Sequence, residues 1–163
     1  MKLNTQLVVA LFVVLSASLL VSAQGAINQG GINAAERRNA KISSAVRAVL
    51  DAQRDAWNRG DVAGYMDGYA RSADITFISG DNLSRGWQTV HDRYQRNYNS
   101  REKMGTLTFS DLETTVLNAD TAMVLGRWHL QRSNDEPHGR FTLIFRRTKQ
   151  GWRIIHDHTS SAS

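Results

Sequence analysis

The chain changes its hydrophobic period once, and that change limits its fold more than any other feature. From Ile42 the apolar positions Ile42, Val46, Val49, Leu50 and Trp57 recur at helical spacing, with Ala45, Ala52 and Ala56 between them. From Thr106 onward, β-branched and aromatic residues alternate with polar ones in four runs, Thr106–Leu117, Thr121–Gln131, Arg140–Thr148 and Trp152–Thr159. Asn118-Ala119-Asp120 joins the first two as a turn, Ser133–His138 is a polar loop, and Lys149-Gln150-Gly151 joins the last two. Helices followed by consecutive strands imply an α+β domain, with N-terminal helices packed on one face of an antiparallel sheet.

Between these halves the elements are shorter. The first helix ends at Asn58-Arg59-Gly60, where glycine takes the left-handed cap conformation. Asp61 is placed to cap a second helix, Val62–Ala70, in which Tyr65 and Tyr69 share a face. Ile75–Ser79 alternates as a strand before the turn residues Gly80-Asp81-Asn82. Arg85-Gly86-Trp87 leads into a third helix, on which Tyr94 and Tyr98 share a face.

The first residues point to export. Lys2 precedes an apolar run, Leu7–Val21, that ends in the small-x-small pattern Val21-Ser22-Ala23. This reads as a signal peptide over residues 1–23, cut after Ala23, and as a periplasmic or secreted location. The run is short for a membrane span, so no stable membrane anchor is expected. Residues 24–33, rich in Gly, Asn and Gln, form an expected flexible leader, and the folded domain is expected over residues 34–160. The chain has no cysteine, so disulfides and thiolate ligands are excluded. Its net charge of +5 is spread along the sequence without a nucleic-acid-binding motif, and no nucleic-acid partner is expected.

Several local strings carry a resemblance. Trp57-Asn58-Arg59-Gly60-Asp61, Tyr69-Ala70 before the first strand, Arg85-Gly86 before the third helix, and above all Gly151-Trp152-Arg153-Ile154-Ile155-His156-Asp157-His158-Thr159-Ser160 resemble the NTF2-like, cystatin-like cone superfamily. That superfamily includes ketosteroid isomerase, the SnoaL-like polyketide cyclases, the DUF4440 proteins and the association domain of calmodulin-dependent kinase II. The last string looks like the closing strand of the kinase association domain. The resemblance covers Ile42 to Ser160. It implies a curved sheet around a long helix, a conical pocket open at one end, and a homodimer through the outer faces of the sheets.

Candidate site residues follow. Strict alternation puts Trp152, Ile154, His156 and His158 on one face of the last strand, where two imidazoles can transfer protons. His156 and His158 are thus the candidate catalytic residues, with a structural place at the sheet edge or dimer interface as the other reading. A metal needs a third ligand that no spacing supplies, so neither metal nor cofactor is expected. Arg127 and Arg140 interrupt apolar strand segments. Each is either a carboxylate-binding pocket residue or the partner of a surface acid. The resemblance favours the first for Arg127, but the association domain's further pocket arginine is Thr159 here. Trp57, Tyr65, Tyr69, Trp87 and Tyr94 are expected to supply apolar pocket walls with polar handles. The isomerase's base position falls near Phe77, which takes no proton. The expected function is therefore the binding of a small, anionic or partly apolar organic ligand. The alternatives are a SnoaL-like isomerase, cyclase or dehydratase using histidine acid/base chemistry, and a homo-oligomerisation module.

Overall fold

The computed structural model describes residues 33–162. The expected signal peptide, and the leader apart from residue 33, lie outside them.

Helix α1 occupies residues 33–58. From residue 41 onward its inward stripe is Ile42, Val46, Leu50, Ala56 and Trp57, all buried in one core. The helix stops where expected. Gly60 takes φ 85, its N–H donates to the Trp57 carbonyl, and the Asp61 N–H donates to that of Ala56. This returns the chain from the helix without a Cβ clash. Asp61 caps α2 (Val62–Met66), its carboxylate accepting from the Gly64 N–H at 2.7 Å.

Strands β1 (Thr76–Ser79) and β2 (Asn82–Arg85) form a hairpin, and helices α3 (Trp87–Asn97) and α4 (Arg101–Met104) follow. Four longer strands close the domain: β3 (Thr106–Asn118), β4 (Thr121–Gln131), β5 (His138–Thr148) and β6 (Gly151–Thr159). The six-stranded sheet runs β2-β1-β6-β5-β4-β3. One pairing departs from the antiparallel expectation: β1 lies parallel to β6, so the sheet is mixed. That pairing brings the short hairpin beside the last strand and registers Phe77 opposite Asp157 and Ser79 opposite Thr159. The hairpin's second arm, Asn82-Leu83-Ser84-Arg85, carries no apolar alternation, so its sequence has the look of turn and helix entry, and it is largely exposed in the fold.

The inner face of the sheet completes the core. Ala122 and Val124 on β4, Leu143 and Phe145 on β5, and Trp152 and Ile154 on β6 are buried with the α1 stripe. Asn58 ties helix to sheet: its amide donates to the Leu107 carbonyl at 3.0 Å, and its carbonyl accepts the Leu107 N–H at 2.7 Å. Among the described residues no helix is long and apolar enough to cross a membrane.

Candidate functional site

The helices and the inner face of the sheet leave a cavity of about 130 Å³, near the volume that takes up one aromatic ring. Its walls are aromatic. Trp57 meets Tyr65 at 5.1 Å between ring centroids, Tyr65 meets Tyr94 at 5.1 Å, and Phe77 meets Tyr94 edge-on at 5.8 Å. The indole of Trp57 is anchored by donating to the Met104 carbonyl at 3.0 Å, and Gln53 holds the Tyr65 carbonyl at 2.9 Å. The Trp57 ring is therefore fixed by its own N–H, as a buried Trp requires, and the backbone beneath Tyr65 by Gln53.

One ionisable acid lines this cavity. Asp157 is 5% exposed, and one carboxyl oxygen accepts the Tyr69 hydroxyl at 2.6 Å. Among the described residues the other oxygen has no hydrogen-bond partner. Burial pushes the carboxyl up to about 7, the Tyr69 hydrogen bond opposes this, and no basic side chain offsets it. Burial also raises the hydroxyls of Tyr65, Tyr69 and Tyr94, with the Asp157 charge adding to it, so all three remain proton donors. Tyr65 and Tyr94 oxygens lie 3.5 Å apart. The arrangement is an acid poised near neutral pH among tyrosine donors in an apolar room. Such a group can donate or accept a proton or hydrogen bond.

A bulge puts the aspartate there. Ile144 pairs with His156 but Phe145 pairs with Ile154, leaving Ile155 as an extra residue on β6. The extra residue inverts the alternation. Trp152 and Ile154 face the core before it, whereas Asp157 and Thr159 face the cavity after it. His156 and His158, expected on the same face as Trp152 and Ile154, are turned outward. His158 is exposed. His156 is half-buried, its Nδ1 lies 2.6 Å from the Thr76 hydroxyl, and burial first and His158 second lower its pKa. Neither lines the cavity, and this corrects their expected placement on the face of Trp152 and Ile154.

The other expected residues divide. Trp57, Tyr65, Tyr69 and Tyr94 line the cavity. Trp87 does not: its indole donates to the Met66 carbonyl, the Arg71 guanidinium lies over its ring at 4.4 Å, and His91 stacks on it at 4.9 Å. Arg127 and Arg140 face one another in register on the outer side of the sheet. Arg127 pairs with Asp111 at 2.9 Å, on a residue whose φ of 50 marks a second bulge. Arg140 is exposed. The guanidinium that lines the cavity is Arg93 on α3, which the sequence reading passed over, as it did Asp157. Among the described residues no three His, Cys, Asp or Glu side chains come together as a metal site.

Comparison with known proteins places this geometry. Residues 46–163 match the SnoaL-like domain family. The chain belongs to that family. A solved NTF2-like protein of unknown function from Shewanella oneidensis is 37% identical to this SnoaL-like domain, with a TM-score of 0.70 over 72% of this chain and 98% of that one. A putative calcium/calmodulin-dependent protein kinase II association domain from Xanthomonas campestris is 17% identical, with a TM-score of 0.59 over 72% and 85%. A ketosteroid isomerase-like protein from Erwinia carotovora is 17% identical, with a TM-score of 0.60 over 74% and 95%. At such identities the last two speak to the NTF2-like fold alone. No curated protein sequence matches this one.

Proposed function

We propose that this SnoaL-like domain binds a small organic molecule, on the order of one ring in size, with one polar group set against Asp157. The observation that carries this reading is the carboxyl itself. A buried acid with a partnerless oxygen lowers stability, and its presence on an aromatic cavity wall is understood if a ligand supplies the missing partner. Titration of the protein with phenol and cyclohexenone, followed by calorimetry and by Trp57 and Trp128 fluorescence, tests it. Saturable binding weakened by Asp157→Leu is expected. No saturable binding of either compound overturns it.

A catalytic reading is favoured by the burial of the Asp157 carboxyl, which pushes it up to about 7. On this reading Asp157, held by Tyr69, is the general acid/base in place of His156 and His158. Deuterium exchange from solvent into the α-carbon of a bound cyclic ketone, lost in Asp157→Asn, is the outcome that supports it. No exchange above that of the Asp157→Asn protein leaves binding alone.

Two copies of the domain are proposed to meet through the outer face of the sheet. Leu125 is 39% exposed there, beside the half-buried pair Met123 and Ile144. Sedimentation showing a monomer would end that reading. Export with cleavage after Ala23 is proposed from the leader sequence, and the intact mass of the recovered protein tests it.

A further inference from the structure

The cavity has two chemically different ends. Its closed end is made of buried residues, among them Leu50, Gln53, Tyr65, Tyr69 and Ile154. Its open end is rimmed by partly exposed ones: Ser79, Arg93, Asn97, Tyr98, Thr159 and Ser161. Asp157 lines the inner wall, buried like the closed end and hydrogen-bonded to Tyr69 there. Along β6 the two residues from Asp157 to Thr159 span about 7 Å, close to the reach of a six-membered ring with substituents at opposite ends.

Among the described residues the rim carries positive charge without an anionic partner. Arg93 makes no ion pair or hydrogen bond among the described residues, and its guanidinium lies 5.4 Å from the Phe77 ring centroid. Phe77 is itself the register partner of Asp157. A second guanidinium, Arg132, is already paired with Asp135 at 3.4 Å. Burial raises the Tyr98 hydroxyl above its usual value, and the charges of Arg132 and Arg93 oppose that shift. Arginine offers a planar fork that matches a carboxylate, and an unpaired one at a half-desolvated rim favours an anion there.

The inner wall has the opposite preference. An anion pressed against Asp157 would meet a buried acid with no cation to offset it, whereas an uncharged hydroxyl or carbonyl supplies the partner that its free oxygen lacks. We infer that the ligand is a single-ring organic acid, seated with its carboxylate at the rim against Arg93 and an uncharged oxygen function inward against Asp157. This inference rests on the binding reading above and adds the ligand's charge, its orientation and the residue that selects it. It moves anion recognition from Arg127 and Arg140, which face outward, to Arg93.

Two probes of equal size separate the alternatives: 4-hydroxybenzoate, which is anionic, and 4-hydroxybenzamide, which is not. Both are titrated calorimetrically into the full-length mature protein at low salt and about pH 6, below the Asp157 midpoint. The acid is expected to bind roughly tenfold or more tightly than the amide, the scale of one charge-assisted hydrogen bond. That preference shrinks as salt is added, because the rim is open to solvent. Arg93→Gln brings the two affinities to within about twofold, and Arg93→Lys retains part of the preference. Equal affinities in the unmodified protein, or a preference that survives Arg93→Gln, overturn the inference while leaving the binding reading in place. Failure of both probes to bind overturns this inference, and failure of phenol and cyclohexenone as well overturns the binding reading with it.

Discussion

Replacing Asp157 by Asn tests the chemistry of the cavity without requiring its ligand. In the folded chain the Asp157 carboxyl keeps its proton to about pH 7, whereas in the unfolded chain it loses it near 3.8. Between these values the folded state binds more protons than the unfolded one, so stability falls as pH rises through the window. From pH 5 to pH 8.5 this one group is expected to remove about 3 kcal/mol. That is a large share of the roughly 5–15 kcal/mol typical of a folded domain. Tyr65, Tyr69 and Tyr94 face the carboxyl from the helices and loop packed against it, and all stay protonated across the window. Asn keeps the shape and an acceptor for the Tyr69 hydroxyl but cannot ionise, so its stability lacks this slope. Its unpartnered N–H groups lower stability by about 1–3 kcal/mol at every pH, which makes the variant weaker at pH 5 and equal or stronger at pH 8.5. Urea unfolding at both pH values reads the change as a relative midpoint displacement of roughly 1–2 M in favour of the variant. If the unmodified and variant midpoints keep a constant separation from pH 5 to 8.5, Asp157 does not titrate as a buried acid, and the argument for a functional carboxyl fails.

Tyr69→Phe removes the 2.6 Å hydrogen bond to Asp157 and should raise its pKa further; the stability loss is expected to grow from about 1 kcal/mol at pH 5 to about 2–3 kcal/mol at pH 8.5, read by the same urea series. Gly126 sits where a Cβ would overlap the Phe141 ring and Leu112, so Gly126→Ala should lower stability by about 1–3 kcal/mol; an unchanged unfolding midpoint would contradict this packing. Asn58→Ala leaves the Leu107 N–H and carbonyl without their side-chain partners; a loss of about 1–3 kcal/mol with faster hydrogen exchange at the Leu107 amide is expected.

The two ends of the chain differ in how far their structure is legible as period. Helix α1 buries Ile42, Val46, Leu50 and Trp57 in one core because a helix face is a local property of spacing. Arg93 was legible in the same way. It shares the inward face of α3 with Val90, Tyr94 and Asn97, at spacings of three and four, although a charged residue at such a position also fits a solvated helix face. The parallel pairing of β1 with β6 is of another kind. It joins residues 80 positions apart, Thr76 to His156, and no local pattern encodes it.

Asp157 shows most sharply where period reading stops. Alternation along β6 holds from Trp152 to Ile154 and holds again from His156 to Thr159, yet the two stretches are out of phase. The extra residue is defined by what β5 pairs with, so it is a property of two strands rather than one. A chemical signal was nonetheless present. An unbroken alternation would bury two imidazoles and expose the carboxylate of Asp157 beside Ile155, whereas the adjacent apolar pair Ile154-Ile155 is what a strand carries when its phase slips. The slip costs a ladder position, and it delivers one acid into an aromatic cavity and two histidines to the outer face. The bulge at Ile155 thus decides which titratable side chains this sheet turns toward the cavity and which it turns outward.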